Sequence, residues 1–149
     1  MRRFSSAFVV KAGIDRVWDF YTSVDHLGII TPPAIKLQIL KCTTGKRLEA
    51  GSEVWIEGRL VTKSRWHSRI TQLEPYQYID EMFSGRFKVW KHVHTFEKAD
   101  AGTNVIDEID FELPYGLLGR MFEGYTSRQL EKIFAHRKQA TILTLENVD

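Results

Sequence analysis

Residues 90–113 read WKHVHTFEKADAGTNVIDEIDFEL, and their two-residue alternation decides the fold. On a strand, successive side chains point to opposite faces. Trp90, His92, His94 and Phe96 therefore share one face, and Lys91, Val93 and Thr95 the other. Further on, Val105, Asp107, Ile109, Phe111 and Leu113 share a face that is apolar except for Asp107. Ile106, Glu108, Asp110 and Glu112 form the opposite face. Asp100-Ala101-Gly102 between them is a turn signal. Two such strands joined by so short a turn predict an antiparallel hairpin. With Ala99 opposite Gly102, Phe96 faces Val105, His94 faces Asp107, His92 faces Ile109 and Trp90 faces Phe111. A slip of one residue would set the apolar face against the polar one. His94 and Asp107 are thus expected as cross-strand neighbours. A carboxylate on an apolar face requires a partner.

Upstream of the hairpin, residues 4–11 are rich in Phe, Ser and Val and predict a first strand, broken by Gly13. Asp15 opens a short helix in which Val17, Trp18 and Tyr21 share a face. Residues 24–30 predict a second short helix, ended by Thr31-Pro32-Pro33 because the residue before a proline leaves the helical region. Further strands are expected at 35–42, 52–62, 64–74 and 77–84, then the hairpin strands at 87–97 and 103–113. After Pro114 and Gly116 the chain reads as mostly one long helix to about residue 146, with bends expected near Gly119 or Gly124. One strand, two short helices, six strands and a long helix make an α+β protein with a strongly curved antiparallel sheet, whose exposed face the long helix covers.

That helix supplies a further polar group. Leu130, Ile133, Phe134 and Arg137 recur at i, i+3, i+4 and i+7, which sets Arg137 on an apolar stripe. An arginine there reaches solvent or meets a carboxylate, and Asp107 is one candidate.

Composition narrows the function classes. The 149 residues are 43% hydrophobic and 27% charged, which is globular rather than disordered. No repeat or linker divides them, so residues 1–149 are expected to form a single domain. Net charge is only +2, which does not favour nucleic acid or an anionic membrane as partner. Lys63, Arg65, Arg69 and Lys91 suggest at most an outer basic patch. No apolar run approaches the roughly 20 residues that span a bilayer, so no integral membrane segment is expected. Cys42 is the only cysteine and forms no intrachain disulfide, which points to the reducing cytoplasm.

His92, His94 and Asp107 admit three readings: a satisfied polar cluster that fixes the sheet, the polar end of an apolar pocket, or a two-histidine, one-carboxylate metal site. Nothing else in the sequence supports a metal, and no cofactor is expected. A His-Asp pair also suits general acid–base chemistry, although no serine or cysteine is placed as its nucleophile. Trp66 shares a face with Ser68 and Ile70, as a core residue or a cavity wall. Asp80 reads as structural, and Gly85 as permitting a turn or bulge. His26 and His136 stand alone.

Several spaced segments together resemble a known family. They are Thr31-Pro32-Pro33, Trp66-His67-Ser68-Arg69-Ile70, Asp80 with Gly85-Arg86-Phe87, and Trp90-Lys91-His92-Val93-His94-Thr95-Phe96. Asp107, Leu113-Pro114-Tyr115-Gly116 and Ile133-Phe134-Ala135-His136-Arg137 follow. In this order they resemble the START / polyketide-cyclase (SRPBCC) superfamily, most closely its small bacterial cyclase/dehydrase-like, ligand-binding members. Arg86 departs from the proline expected after the glycine.

The resemblance implies a helix-grip fold, a seven-stranded antiparallel sheet around a long C-terminal helix. It also implies a cavity between them for a hydrophobic or amphipathic small molecule, such as a lipid, polyketide or quinone. Trp66, Phe83, Trp90, Phe96, Ile109, Phe111, Phe122 and Ile133 are then the expected apolar walls. His92, His94, Asp107, Tyr125 and Arg137 are the expected polar contacts. A lone cavity arginine favours a carboxylate, phenolate or enolate. The leading expectation is a binding or carrier protein, monomeric or homodimeric. The alternatives are a cyclase or dehydratase with His94-Asp107 as general acid/base, and an interaction module with a filled core.

Overall fold

Period-two burial runs the length of the last strand. Thr103, Val105, Asp107, Ile109 and Phe111 are buried and their neighbours are not. In the computed structural model, which describes residues 1–59 and 62–146, this strand is β7 (Gly102–Glu112). It is preceded by β1 (Arg2–Val10), α1 (Ile14–Thr22), α2 (His26–Ile30), β2 (Gln38–Cys42), β3 (Glu53–Arg59), β4 (Lys63–Glu74), β5 (Gln77–Ser84) and β6 (Val89–Ala99). It is followed by α3 (Gly116–Glu146).

The strands form one seven-stranded sheet in the order β1-β7-β6-β5-β4-β3-β2, with every pair antiparallel. The β6–β7 register is the one expected from the turn, from Ala99↔Gly102 through His94↔Asp107 to Trp90↔Phe111. Gly102 makes that turn possible. Its φ is +150°, and a Cβ built there would lie 2.1 Å from the Val10 carbonyl oxygen. The long helix packs on β1, β7 and α2. This is the helix-grip architecture.

Several bounds shift by a few residues from expectation. The strand expected from residue 35 begins at Gln38, because Pro33–Ile35 form a 3₁₀ turn and Lys36 takes a left-handed conformation at φ 50°. The strand expected over 52–62 is observed as β3, with positions 60 and 61 outside the described residues. The C-terminal helix is assigned as one continuous element through Gly119 and Gly124. Among the described residues no helix is long and apolar enough to cross a membrane.

The apolar interior falls into two clusters. One joins Phe8, Val10, Val17, Tyr21, Phe96, Val105 and Leu145 under α1 and the end of α3. The other joins Ile109 and Phe111 to Leu130 and Phe134. On β7, Asp107 lies between Val105 of the first and Ile109 of the second. The buried side of α3 repeats the pattern, with Arg137 between Phe134 and Thr141. The polar groups meet at the seam between the two clusters.

Candidate ligand site

The hairpin register brings the polar groups close, and side-chain direction decides which ones bond. His92 Nε2 donates to Asp107 Oδ1 at 2.8 Å, across the strand pair and offset by one step. His94 turns the other way, and its Nε2 lies 2.6 Å from Asp80 Oδ2 on β5. His94 and Asp107 are register partners as expected, yet His94 Nδ1 lies 3.4 Å from Asp107 Oδ1. Arg137 of α3 joins them, with Nη2 at 3.0 Å from Asp107 Oδ1 and 3.2 Å from His94 Nδ1. A guanidinium only donates, so His94 Nδ1 accepts and His94 Nε2 donates to Asp80.

Aromatic rings enclose this network. The Tyr78 ring stacks on His94 with centroids 4.0 Å apart, and His94 stacks on His92 at 3.6 Å. The Arg137 guanidinium lies over Tyr21 at 4.9 Å and over Phe134 at 5.1 Å. Tyr78 in turn donates to the Tyr21 carbonyl at 3.2 Å, which ties α1 to β5.

Burial and charge set the protonation states. Burial alone raises the Asp107 carboxyl, but Arg137 and the His92 hydrogen bond outweigh it and hold Asp107 well below its ordinary value. Asp80 is also lowered, because the hydrogen bond from His94 and the nearby positive charge outweigh burial. Burial and the adjacent His94 ring push His92 down to about 4, so at neutral pH it is an uncharged donor to Asp107. Burial likewise raises the Tyr78 phenol. Burial works against the Arg137 charge, and Asp107 more than restores it. Arg137 is therefore not the lone cavity arginine expected from the sequence, since its charge is matched by Asp107.

A cavity of about 750 Å³ lies between the sheet and α3. Trp66, Trp90, His92, Phe122, Tyr125, Ile133 and Arg137, all expected contacts, line it. An inner compartment of about 170 Å³ shares Trp66, Phe87, Trp90, His92 and Arg137, and reaches His26, Tyr78, Asp80 and His94. Leu118, Phe122 and Tyr125 line the main cavity while at least half exposed, so it opens beside the start of α3. Gly85 adjoins the wall where a Cβ would lie 2.7 Å from Trp66 Cδ1, so a larger residue would displace that indole.

Other expected contacts lie elsewhere. Phe83 is 54% exposed, and the Arg69 guanidinium covers its ring on the outer sheet face at 4.7 Å. The cause is alternation, because Tyr78, Asp80 and Met82 point inward, so Phe83 points out. Phe96, Ile109 and Phe111 are buried packing residues and line neither compartment. Phe96 meets Trp18 and Tyr21 of α1, Ile109 packs with Leu130 and Phe134, and Phe111 meets Phe87. Asp107 is fully buried behind His92 and Arg137 and reaches the cavity only through them.

The sequence reading missed Asp80, Tyr78, Tyr21 and His26 as members of the site. Asp80 carried the same signal as Asp107, an acid on an inward-facing apolar set. His26 carried none, because its position depends on how α2 docks.

Asp80, His92 and His94 have metal-ligand atoms within 4.8 Å of one another. These are the donor types of a divalent-metal site. However, His94 Nε2 and Asp80 Oδ2 already satisfy each other, and Arg137 stands against His94.

Comparison with known proteins agrees with this architecture. Residues 10–135 match the family described as "Polyketide cyclase / dehydrase and lipid transport". Among curated proteins, no sequence relative matches the chain. A Chromobacterium violaceum protein superposes with a TM-score of 0.74 at 12% identity, covering 98% of both chains. A START superfamily protein of Mycobacterium smegmatis gives 0.74 at 14%, covering 99% of both. A Thermus thermophilus protein gives 0.68 at 16%, over 97% of this chain and 94% of its own. At such identities these likenesses show a shared fold. With most of its length matched by the family model and the helix-grip sheet in place, the chain belongs to the polyketide cyclase/dehydrase and lipid transport family.

Proposed function

We propose that the chain, acting as one domain, binds or carries an amphipathic small molecule. The ligand's apolar body fills the space between sheet and helix, and a polar end reaches the inner compartment. The observation that carries this reading is the cavity of about 750 Å³, apolar along most of its wall and ending at a hydrogen-bonded charged cluster. Cavities of this size with a few placed polar groups are typical small-molecule sites. Burial of ligand apolar area drives binding, and the cluster orients the bound molecule. The lone Cys42 suits a reducing compartment such as the cytoplasm.

Acid–base catalysis by His94 and Asp107 has weaker support. Both His94 nitrogens are engaged, with Asp80 and with Arg137, and Asp107 has no cavity surface. A nucleic-acid role is also weakly supported, because Lys63 and Arg65 pair with Glu57, and Arg69 with Glu53.

Nile red fluorescence tests the reading. The wild-type chain is expected to bind the dye at one site. Gln129→Trp, which adds bulk to the helical wall of the cavity, is expected to weaken binding at least about tenfold with unchanged circular dichroism. Equal binding by wild type and variant would contradict it.

A further inference from the structure

Two aromatic side chains in the wall of the inner compartment, His26 and Trp66, each carry a polar atom left unpaired by the fold. His26, at the start of α2, is 2% exposed. Its Nδ1 bonds to the Ser23 carbonyl, which only accepts, so the ring proton is on Nδ1 and Nε2 holds a lone pair. That lone pair is buried and has no partner among the described residues. Trp66 lines the same compartment from β4, and its Nε1–H is buried and equally without one. Buried polar atoms are seldom left in this condition. One is an acceptor and the other a donor.

The charges nearby restrict what can enter. Asp80 brings a carboxylate to the compartment. Among the described residues that line it, Arg137 is the only cationic side chain, and its Nη2 is already held by Asp107 and His94. Its Nε–H is a further donor without a partner among the described residues. An entering carboxylate would meet the Asp80 charge and the His26 lone pair, with its one counter-charge already matched. A neutral hydroxyl has a proton for the lone pair and brings no charge.

We propose that the inner compartment selects ligands by a neutral hydroxyl group, of an alcohol, phenol or enol, whose O–H donates to His26 Nε2 while a ligand oxygen accepts from Trp66 Nε1–H. His26 is then a specificity-determining residue. This rests on the binding reading above and replaces the carboxylate preference that an unpaired Arg137 would have implied.

Three probes of one shape test it, 2-naphthol, naphthalene and 2-naphthoate, each displacing Nile red at pH 7. An unpaired buried acceptor gains a partner only with the naphthol, so 2-naphthol is expected to bind about tenfold tighter than either of the others. His26→Phe keeps a ring against Phe20 and Tyr21, and the Ser23 carbonyl keeps the His26 backbone N–H. This variant is expected to abolish the tenfold preference of 2-naphthol over naphthalene. Independently of the variant's folding, the His26 Nε2 nitrogen resonance of the wild-type protein is expected to move with 2-naphthol and not with naphthalene.

Equal displacement by naphthalene and 2-naphthol would overturn the hydroxyl proposal and leave the binding reading standing. So would a preference for 2-naphthoate, or a preference that survives in His26→Phe. Failure of Nile red and all three probes to bind would overturn both.

Discussion

Asp107 shows what one residue does in this fold. It is a fully buried carboxylate held by His92 and by the Arg137 guanidinium. Asp107→Asn keeps the shape and removes the charge, which leaves Arg137 buried without its counter-ion. Unfolding in urea is expected to show a loss of about 3–5 kcal/mol, against under about 1 kcal/mol for an ordinary surface pair. A loss in the surface range would show that Arg137 draws its support elsewhere. The buried histidines give a pH signature. Burial holds His92 at about 4 and His26 at about 3, against an ordinary 6.5. A group whose folded value is depressed stabilises the fold above its unfolded value, and that contribution is lost as the pH falls towards the folded value. Stability is therefore expected to drop between pH 7 and pH 5 by about 2 kcal/mol for each histidine. The carboxylates, both depressed below 3.8, add their loss only at lower pH. Urea midpoints at the two pH values check this, and His26→Phe is expected to remove about half of the drop. A pH-independent midpoint would mean that these rings take up protons in the fold as readily as in the unfolded chain.

At the scale of elements, the hairpin positions the site, and its turn holds the register. Gly102→Ala sets a Cβ against the Val10 carbonyl oxygen in a backbone conformation that L side chains rarely adopt. The expected cost is at least about 2 kcal/mol in thermal or urea unfolding. A neutral substitution would show that the register does not depend on this turn. The hairpin was also the most legible part of the sequence, since alternation and one short turn fix every opposed pair from Trp90 to Phe111. The exchange of partners was not legible. Strand alternation says that His94 and Asp107 share a face, not which ring nitrogen reaches which oxygen. The β5–β6 pairing that sets Asp80 beside His92 runs through the Gly85-to-Lys88 connection, for which no simple turn rule applies. Phe83 was a different miss, because the alternation that puts Asp80 inside puts Phe83 outside.

Across the whole molecule, the long helix both covers the curved sheet and stands off from part of it. Where Leu130 and Phe134 touch Ile109 and Phe111, the interior is packed. Towards the start of the helix the wall opens into the cavity, and Leu118, Phe122 and Tyr125 stand at its mouth. That division explains why sequence alone ranked the aromatic residues poorly. Phe96, Ile109 and Phe111 have the same inward direction as Trp90, and what packs on each separates core from cavity wall: α1 on Phe96, the long helix on Ile109 and Phe87 on Phe111. The four tryptophans report on the division directly. Trp66 and Trp90 line the cavity, whereas Trp18 packs against Tyr78 and Phe96, and Trp55 stacks on His67 on the outer sheet face. The most direct test of the account is a titration with 2-naphthol that follows the four indole N–H resonances by NMR. Saturable shifts of Trp66 and Trp90, with Trp18 and Trp55 unmoved, are predicted. Shifts confined to Trp55, or none at Trp66 and Trp90, would contradict a ligand site between the sheet and the helix.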